Sequence, residues 1–257
     1  MTIGSLVYRV FGDQLKNKKI KLPKIQYNEY KNLQSSKIAG RVELFNGKVK
    51  WLEEMVSMDV CSLYPYVMSV LDCYYPCGKI KYVKKIGDNI VEYEYDKNNK
   101  ETKEKIVKRK DIIVDNKIGF YYCDIDQSAL KDKHLPKIYA MKTEFENKWD
   151  HDEILKDYLI STVMIDLLKK HGCKVVIKGG FYFSDKKKSV DMFGFLLDAM
   201  KAKNAQDLLK KMNDPKYNGA LRETLKLLMN SLSGKVIENL HNIITEAVDT
   251  YKFLEIK

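Results

Sequence analysis

The sequence is poor in residues that would cross-link a small secreted fold. Its cysteines are scattered and odd in number, at Cys61, Cys73, Cys77, Cys123 and Cys173. The close pair Cys73 and Cys77 has no second pair to complete a zinc site, which argues against a metal knuckle. We therefore expect reduced thiols, the usual state inside a cell, rather than a disulfide framework.

Long apolar runs are missing as well. No stretch is long enough to cross a bilayer, so we expect no membrane partner. Residues 1–11 lack both the apolar region and the cleavage pattern of a secretion signal. The sequence therefore predicts an intracellular protein that is not secreted.

Arginine is scarce in a chain that is strongly basic. The 257 residues carry a formal net charge of +11, yet arginine occurs only at Arg9, Arg41, Arg109 and Arg222. Lysine attracts phosphate as a point charge, whereas arginine can read bases through paired hydrogen bonds. The composition favours contact with a nucleic-acid backbone, although lysine that merely keeps the protein soluble would give the same balance. The length fits one large domain or two small ones.

Apolar periodicity divides the chain into a strand-rich part and a helical part. It predicts strands over residues 41–45, 56–60, 119–125 and 174–183, the last broken by Gly179 and Gly180. An exposed, lysine-rich β-hairpin is predicted over about residues 89–114. Helices are predicted over 160–170, 189–212 and 220–232, with a short turn between the last two. We expect an α+β protein in which a mixed sheet precedes an antiparallel two-helix hairpin.

The first chemical motif reads SMDVCSLYP and runs from Ser57 to Pro65. Asp59 ends a predicted buried strand, where a lone carboxylate is costly and a divalent cation would compensate it. Ser62 and Leu63 follow at a turn into a helix and can present backbone N–H groups to a phosphate. Tyr64 would then lie beneath a bound sugar and exclude a 2′-hydroxyl. The structural alternative is an aspartate that caps a strand beside a buried tyrosine.

The second chemical motif reads LKLLMNSLSGK and covers residues 225–235. On a helix, Arg222, Lys226 and Asn230 share one face because they are spaced by four residues. A stripe of cations and an amide can bind a triphosphate and stabilise charge that develops on it. Gly234 permits a close approach or a helix stop. An amphipathic helix with a solvated basic stripe would look the same.

Taken together and in this order, the two motifs resemble those of family B DNA polymerases, most closely the protein-primed type of viruses, organelles and linear plasmids. Asp59 to Pro65 looks like the first palm motif, and Lys226 to Gly234 looks like the fingers motif. The segment 38–43 is similar to the family's glycine-containing segment upstream of the palm. The resemblance implies a polymerase palm with a mixed or antiparallel sheet, and a helical hairpin as fingers. It places the palm in residues 1–185, the fingers in 186–235 and a return to the palm in 236–257.

The resemblance also implies roles for individual residues. Asp59, helped by the Val60 carbonyl, would hold catalytic Mg²⁺, and Tyr64 would be the sugar gate. Lys226 would contact the triphosphate, with Lys203 and Arg222 as helpers and Asn230 near the nascent base pair. Ser62 and Leu63 complete the nucleotide-binding set, and the residues expected along the DNA are Gly40, Arg41, Ser231 and Gly234. The implied activity is DNA-directed DNA synthesis on a template-primer with deoxynucleoside triphosphates, at a viral replication site, in the cytoplasm or in an organelle.

Two departures from the family pattern shape these expectations. Ser233 stands where the family usually has a tyrosine, so an aromatic surface is missing from the expected base-pair pocket. The Tyr-x-Asp-Thr-Asp palm motif, the proofreading exonuclease and the thumb are also not found in these residues. A terminal priming protein and a second polypeptide that supplies the later motif and thumb are therefore possible partners. The alternatives are a decayed or repurposed nucleic-acid-binding remnant and a shortened product without independent function.

Four further patterns have simpler interpretations. Residues 122–126, which read YCDID, superficially resemble the missing motif but precede the fingers motif. We interpret them as a palm strand with solvent-facing acids. The run Lys186 to Lys188 is interpreted as a solvated helix entry that could also touch DNA. Gly179 and Gly180 predict a strand bulge or bend, and the histidines have no metal-ligand spacing.

Overall fold

The computed structural model describes residues 2–23, 25, 27–36, 60, 62–95, 101–131, 137–143, 147–149 and 151–236. The helices are α1 (Ile3–Asn17), α2 (Tyr27–Ser36), α3 (Leu63–Ser69), α4 (Thr162–Lys170), α5 (Ser189–Lys211) and α6 (Gly219–Val236). The strands are β1 (Tyr74–Ile86), β2 (Asn89–Tyr95), β3 (Glu101–Val107), β4 (Gly119–Asp126), β5 (Met141–Lys142), β6 (Asn147–Lys148), β7 (Leu155–Ser161) and β8 (Lys174–Lys188). This is the expected α+β class.

The main sheet has the strand order β3-β2-β1-β8-β4-β7, and each described pairing in it is antiparallel. Strand β8 lies at its centre, between β1 and β4. Tyr122 pairs with Gly179 whereas Cys123 pairs with Ile177, so Lys178 is an extra residue and forms a β-bulge. The bulge directs the Lys178 ammonium to Asp124 at 2.8 Å and to Asp157 at 2.6 Å. The predicted bulge is therefore present just before the two glycines, but β8 is not broken there, because both glycines pair with the strands on either side.

One face of the sheet packs against α4 to form the sheet core. Residues of β4 alternate between buried and half-buried, as expected of a strand with one covered face. Tyr121, Cys123 and Ile125 point into this core, where they meet Ile165 and Leu168 of α4. Each of these five residues is fully buried. The sheet core therefore fixes β4, β7 and β8 as a rigid base for the helices that follow.

A second core, which we call the helical cluster, joins helices from distant parts of the chain. Its buried members are Val7, Phe11, Leu15, Ile20, Met68, Cys77, Met192, Phe193, Leu196, Ala199, Met229 and Leu232. Helix α5 has a non-helical residue at Phe193, whose ring stacks on that of Phe11 with a centroid distance of 5.1 Å. The cluster therefore packs α1, α3, α5 and α6 together.

Several boundaries differ from the prediction because long-range pairing decides them. Lys186 and Lys187 belong to β8, where they pair with Pro76 and Tyr75 of β1, so they are not a helix entry. The helical hairpin accordingly begins at Ser189 rather than at residue 186. Residue 160 belongs to β7, and α4 begins at Thr162.

The predicted hairpin over 89–114 is only partly exposed. Its strands are β2 and β3, and they extend the main sheet. Ile90 and Val91 are buried at its base, and Ile112 lies in the sheet core after β3 has ended. The expected strands over 41–45 and 56–59 lie outside the described residues.

Candidate functional site

The first motif leads into helix α3 through a sharp turn at Ser62. This residue precedes the helix in the left-handed conformation, with φ of 55°, and its side chain does not cap the helix. Val60 and Tyr64 are both largely exposed, at 63% and 64%. The alternative of a buried Tyr64 is therefore wrong. Asp59 lies outside the described residues, as do Gly40 and Arg41.

Helix α3 is anchored at its opposite end. Met68 is buried in the helical cluster, and the Ser69 hydroxyl donates a 2.6 Å hydrogen bond to the Pro65 carbonyl. Beyond the helix, the Ser189 hydroxyl donates to the Leu71 carbonyl at 2.7 Å, and the Ser189 amide donates to the Cys73 carbonyl at 2.9 Å. These bonds tie the end of the first motif to the start of α5. The N-terminal turn of α3, with Leu63 and Tyr64, remains accessible.

The second motif lies on α6, where Lys226, Asn230 and Gly234 are exposed and Ser231 and Ser233 are half-buried. Met229 and Leu232 are fully buried in the helical cluster, whereas Lys226, Asn230 and Gly234 face away from it. Within the described part of the chain, Lys226 has no salt bridge. Because α3 and α6 share the helical cluster, the two motifs are held beside each other.

Lys203 and Arg222 bind a carboxylate of the hairpin itself. The Lys203 ammonium lies 2.8 Å from Asp207 Oδ2, and Arg222 Nε lies 2.5 Å from Asp207 Oδ1. Arg222 also pairs with Glu223 at 2.5 Å. These ion pairs clamp α5 to α6. The idea that both cations are free to meet a triphosphate therefore does not hold for this conformation. The spacing of Lys203 and Asp207 by four residues was a signal for the pairing that the sequence analysis missed.

Replacing Asp207 with asparagine is expected to destabilise the protein in a pH-dependent manner. Hydrogen bonds from Lys203 and then Arg222 hold the pKa of Asp207 below its ordinary value. A depressed folded-state pKa stabilises the fold above the unfolded-state pKa of about 3.9, and this stability is lost as the pH falls through the folded-state value. Denaturant unfolding should therefore give a lower free energy of unfolding for Asp207→Asn than for wild type at pH 7. This difference should disappear on acidification. Asp198→Asn, at an exposed position of α5, is the control. A difference in the free energy of unfolding that is the same at every pH would contradict a stabilising role of the ion pairs at Asp207.

The DNA-facing residues predicted on α6 have different environments. Ser231 is half-buried and donates its hydroxyl to the Leu227 carbonyl at 2.6 Å. A Cβ at Gly4 of α1 would lie 4.0 Å from the Ser231 Cβ, so this residue faces α1. Gly234 is exposed and has open space around it, but it does not end the helix, which continues to Val236. The Ser233 hydroxyl donates to the Asn230 carbonyl at 2.9 Å.

The acids of the YCDID segment are used within the sheet. Asp124 accepts the Asp157 amide at 3.0 Å and pairs with Lys178 at 2.8 Å. Hydrogen bonding to Lys178 is the main cause that lowers its pKa. Asp126 accepts the Ser128 amide at 2.9 Å. This arrangement supports the interpretation of β4 as a structural strand rather than a displaced metal site.

The described residues do not by themselves complete a metal site. Among them there is no group of three or more histidine, cysteine or acidic side chains that could hold an ion. Val60, the proposed carbonyl ligand in the first motif, is an exposed residue. In the same part of the chain, no helix is both long and apolar enough to cross a membrane.

The fold and the paired motifs define the class of protein. The family described as DNA polymerase type B, organellar and viral, matches residues 1–255, and the chain belongs to this family. A comparison with curated proteins returned no match.

Among solved structures, the chain is similar to Phi29 DNA polymerase. In the ternary complex with primer-template DNA and incoming nucleotide, the TM-score is 0.55 and the identity 22%, over 91% of this chain and 36% of that one. In the post-translocation binary complex with primer-template DNA, the TM-score is 0.56 and the identity 22%, over 93% and 36%. At this identity the likeness establishes the fold. The chain spans about a third of the length of these polymerases.

Proposed function

We propose that this chain supplies the nucleotide-binding part of a protein-primed family B DNA polymerase. It would act in template-directed DNA synthesis at an intracellular site of viral or organellar replication. In this proposal, residues 1–188 form the palm region and the hairpin of α5 and α6 forms the fingers. The observation that carries it is the helical cluster, because this one core holds the helix of the first motif against the helix of the second.

The roles of the side chains follow from their exposure. Lys226 and Asn230 present donors on the open face of α6, where they would bind the triphosphate and lie near the new base pair. Tyr64, which is exposed on the first turn of α3, would pack beneath the sugar and exclude a 2′-hydroxyl. Ser62 and Leu63 would offer backbone amides to phosphate. Gly40, Arg41 and Gly234 would lie along the DNA.

Magnesium is the proposed cofactor, held by Asp59 and the Val60 carbonyl. When bound, it neutralises phosphate charge and activates the primer hydroxyl. A second set of carboxylates is needed for a two-metal reaction. Because Asp124 and Asp126 are used within the sheet, we assign that set to a different polypeptide segment.

An exposed apolar surface on α3 is a candidate contact for that segment. Leu63, Tyr66, Val67, Val70 and Leu71 have exposed fractions between 39% and 48%. Contiguous apolar residues of this kind mark an interaction site on a soluble protein. A polypeptide that carries the later palm motif and thumb would cover this surface and bring its carboxylates near Asp59. A terminal priming protein is the other proposed partner.

Primer extension tests the proposal directly. The isolated chain with Mg²⁺ and four deoxynucleotides should extend a primer poorly, because only Asp59 is assigned to the metals. Adding a polypeptide with the Tyr-x-Asp-Thr-Asp motif should restore synthesis, and Asp59→Asn should abolish it again. Robust synthesis by the isolated chain that survives Asp59→Asn would contradict the assignment. Robust synthesis by the isolated chain that is lost both in Asp59→Asn and in Asp124→Asn would restore the YCDID segment as an acidic motif.

The isolated chain is also expected to bind DNA with little sequence preference and strong salt dependence. Its charge of +11 comes mostly from lysine, which releases counterions from phosphates without reading bases. Affinity measured by fluorescence anisotropy should fall about tenfold or more between roughly 50 and 200 mM salt. A duplex of scrambled sequence should give the same curve. Affinity that does not change with salt would contradict backbone binding.

A further inference from the structure

The sheet face turned away from α4 carries a cavity of about 360 Å³ that is lined by aromatic rings. Val83 points into the sheet core, so its neighbour Tyr82 points to the opposite face. There Tyr82 lines the cavity together with Tyr93, Tyr95 and Tyr122. A volume of this size lies within the ~300–1,000 Å³ of small-molecule sites. The cavity lies away from the helical cluster, whose residues do not line it.

A buried carboxylate also lines this cavity. Glu29 of α2 is 9% exposed, and its Oε2 atom has no hydrogen-bond partner. The carboxylate lies near the Tyr82 hydroxyl, and burial followed by this negative charge raises the pKa of Tyr82 well above its ordinary value. The tyrosine therefore remains a neutral donor. A buried carboxylate oxygen without a partner is costly, and a cation or donor at this position would remove the cost.

The tyrosine rings pack against one another and form an aromatic wall of the cavity. Tyr82 and Tyr93 stack with centroids 5.4 Å apart, and Tyr95 meets both rings edge-on at 4.6 Å and 5.5 Å. The Lys84 ammonium already lies 4.5 Å from the Tyr93 centroid, which shows that this ring accepts a cation on one side. The negative faces of aromatic rings attract ammonium groups most strongly where water is displaced.

The two lysines that line the cavity do not neutralise Glu29. Lys84 pairs with Glu104 at 3.1 Å. Lys178 pairs with Asp124 and Asp157 through the bulge. Both positive charges are thus matched by other carboxylates, and within the described ranges no salt bridge to Glu29 is formed. An anionic ligand, such as a phosphate, is therefore disfavoured here.

We propose that this cavity binds an alkylammonium group, which lies beside the packed tyrosine rings with its charge directed at the Glu29 carboxylate. The group can belong to a free amine or to a lysine side chain of a partner protein. This site is separate from the proposed nucleotide site and does not depend on it.

Calorimetric titration of the full chain in sodium phosphate buffer tests the proposal, because this buffer contains no competing amine. The probes are n-butylammonium and Nα-acetyl-lysine amide, each compared with a neutral analogue, n-butanol or Nα-acetyl-norleucine amide. Both ammonium probes should bind saturably and at least about tenfold more tightly than their analogues. Tighter binding of butylammonium would indicate a free amine as the natural ligand, and tighter binding of the lysine derivative would indicate a protein side chain.

Variants separate this site from general charge effects. Glu29→Gln should weaken ammonium binding about tenfold or more, whereas Glu153→Gln, at an exposed position outside the cavity, should leave it unchanged. Tyr93→Leu should weaken binding, and Tyr93→Phe, which keeps the ring, should preserve it. Circular dichroism checks folding, and the Tyr93 pair remains decisive if Glu29→Gln does not fold. The proposal would be overturned if charged and neutral probes bound equally. It would also be overturned if neither Glu29→Gln nor Tyr93→Leu weakened the binding of the ammonium probes.

Discussion

Lys226→Ala is expected to raise the dissociation constant of Mg²⁺-deoxynucleoside triphosphate about 10- to 100-fold in the presence of primer-template DNA. The reason is the loss of a charge-assisted contact worth ~1.5–3 kcal/mol. Lys226 is the natural residue for this test because Lys203 and Arg222 are already paired with Asp207. Titration of a fluorescent nucleotide gives the constant for wild type and variant.

A matched control separates the contact from the general charge of the helices. Lys201→Ala removes the same charge from an exposed position of α5, where the nearest carboxylate is 4.0 Å away, and should leave nucleotide affinity nearly unchanged. Lys226→Arg should retain part of the affinity because it keeps the charge. If Lys201→Ala and Lys226→Ala weaken binding equally, the lysine acts through overall charge and not as a triphosphate ligand.

Gly180→Ala is expected to lower the free energy of unfolding by ~3 kcal/mol or more. Gly180 has φ of +155°, and a Cβ there would lie 2.3 Å from the Phe120 carbonyl oxygen and 2.7 Å from the Tyr121 Cα. Both obstacles are backbone atoms of β4, so a side-chain rotation cannot relieve the clash. Urea unfolding followed by circular dichroism measures the loss.

Gly12→Ala provides the opposite result at a glycine without such constraints. Gly12 lies within α1 and has open space where a Cβ would be, so alanine should stabilise the protein by about 0.5–1 kcal/mol. If the urea midpoints of the two variants shift equally, the close approach of β8 to β4 at Gly180 does not determine the stability of the protein.

Much of the architecture could be predicted where local signals are strong. Helices α5 and α6 follow from their periodicity and from Asn218-Gly219, and the Asn218 side chain does accept the Leu221 amide at 2.9 Å near the start of α6. Strand β4 follows from its alternation. The exposure of Lys226 could also be predicted, because Met229 and Leu232 supply the apolar anchorage of α6 on another face. The exposure of Tyr64 could not, because a buried tyrosine fitted the same motif.

The parts that could not be predicted depend on distant partners. Helix α1 has apolar residues at Val7, Phe11 and Leu15, but the surface they bury against is on α5, α6 and α3. Lys186 and Lys187 continue a strand because β1 runs beside them, and nothing in the local sequence indicates that pairing. The Arg222 part of the Asp207 clamp has the same origin, since Arg222 reaches Asp207 from the next helix, whereas the spacing of Lys203 and Asp207 is a local signal.

The helical cluster also dictates the order in which the chain can acquire structure. Val7 and Phe11 come from one end of the described chain, and Met229 and Leu232 come from the other. Closing such a long loop is slow, and during synthesis the contacts of α1, α3 and α5 with Met229 and Leu232 must wait until α6 has left the ribosome. The main sheet, in contrast, is complete once β8 has been made. The helices of the two motifs therefore reach their final packing last. Nascent chains stalled before α6 would be the ones that require chaperones.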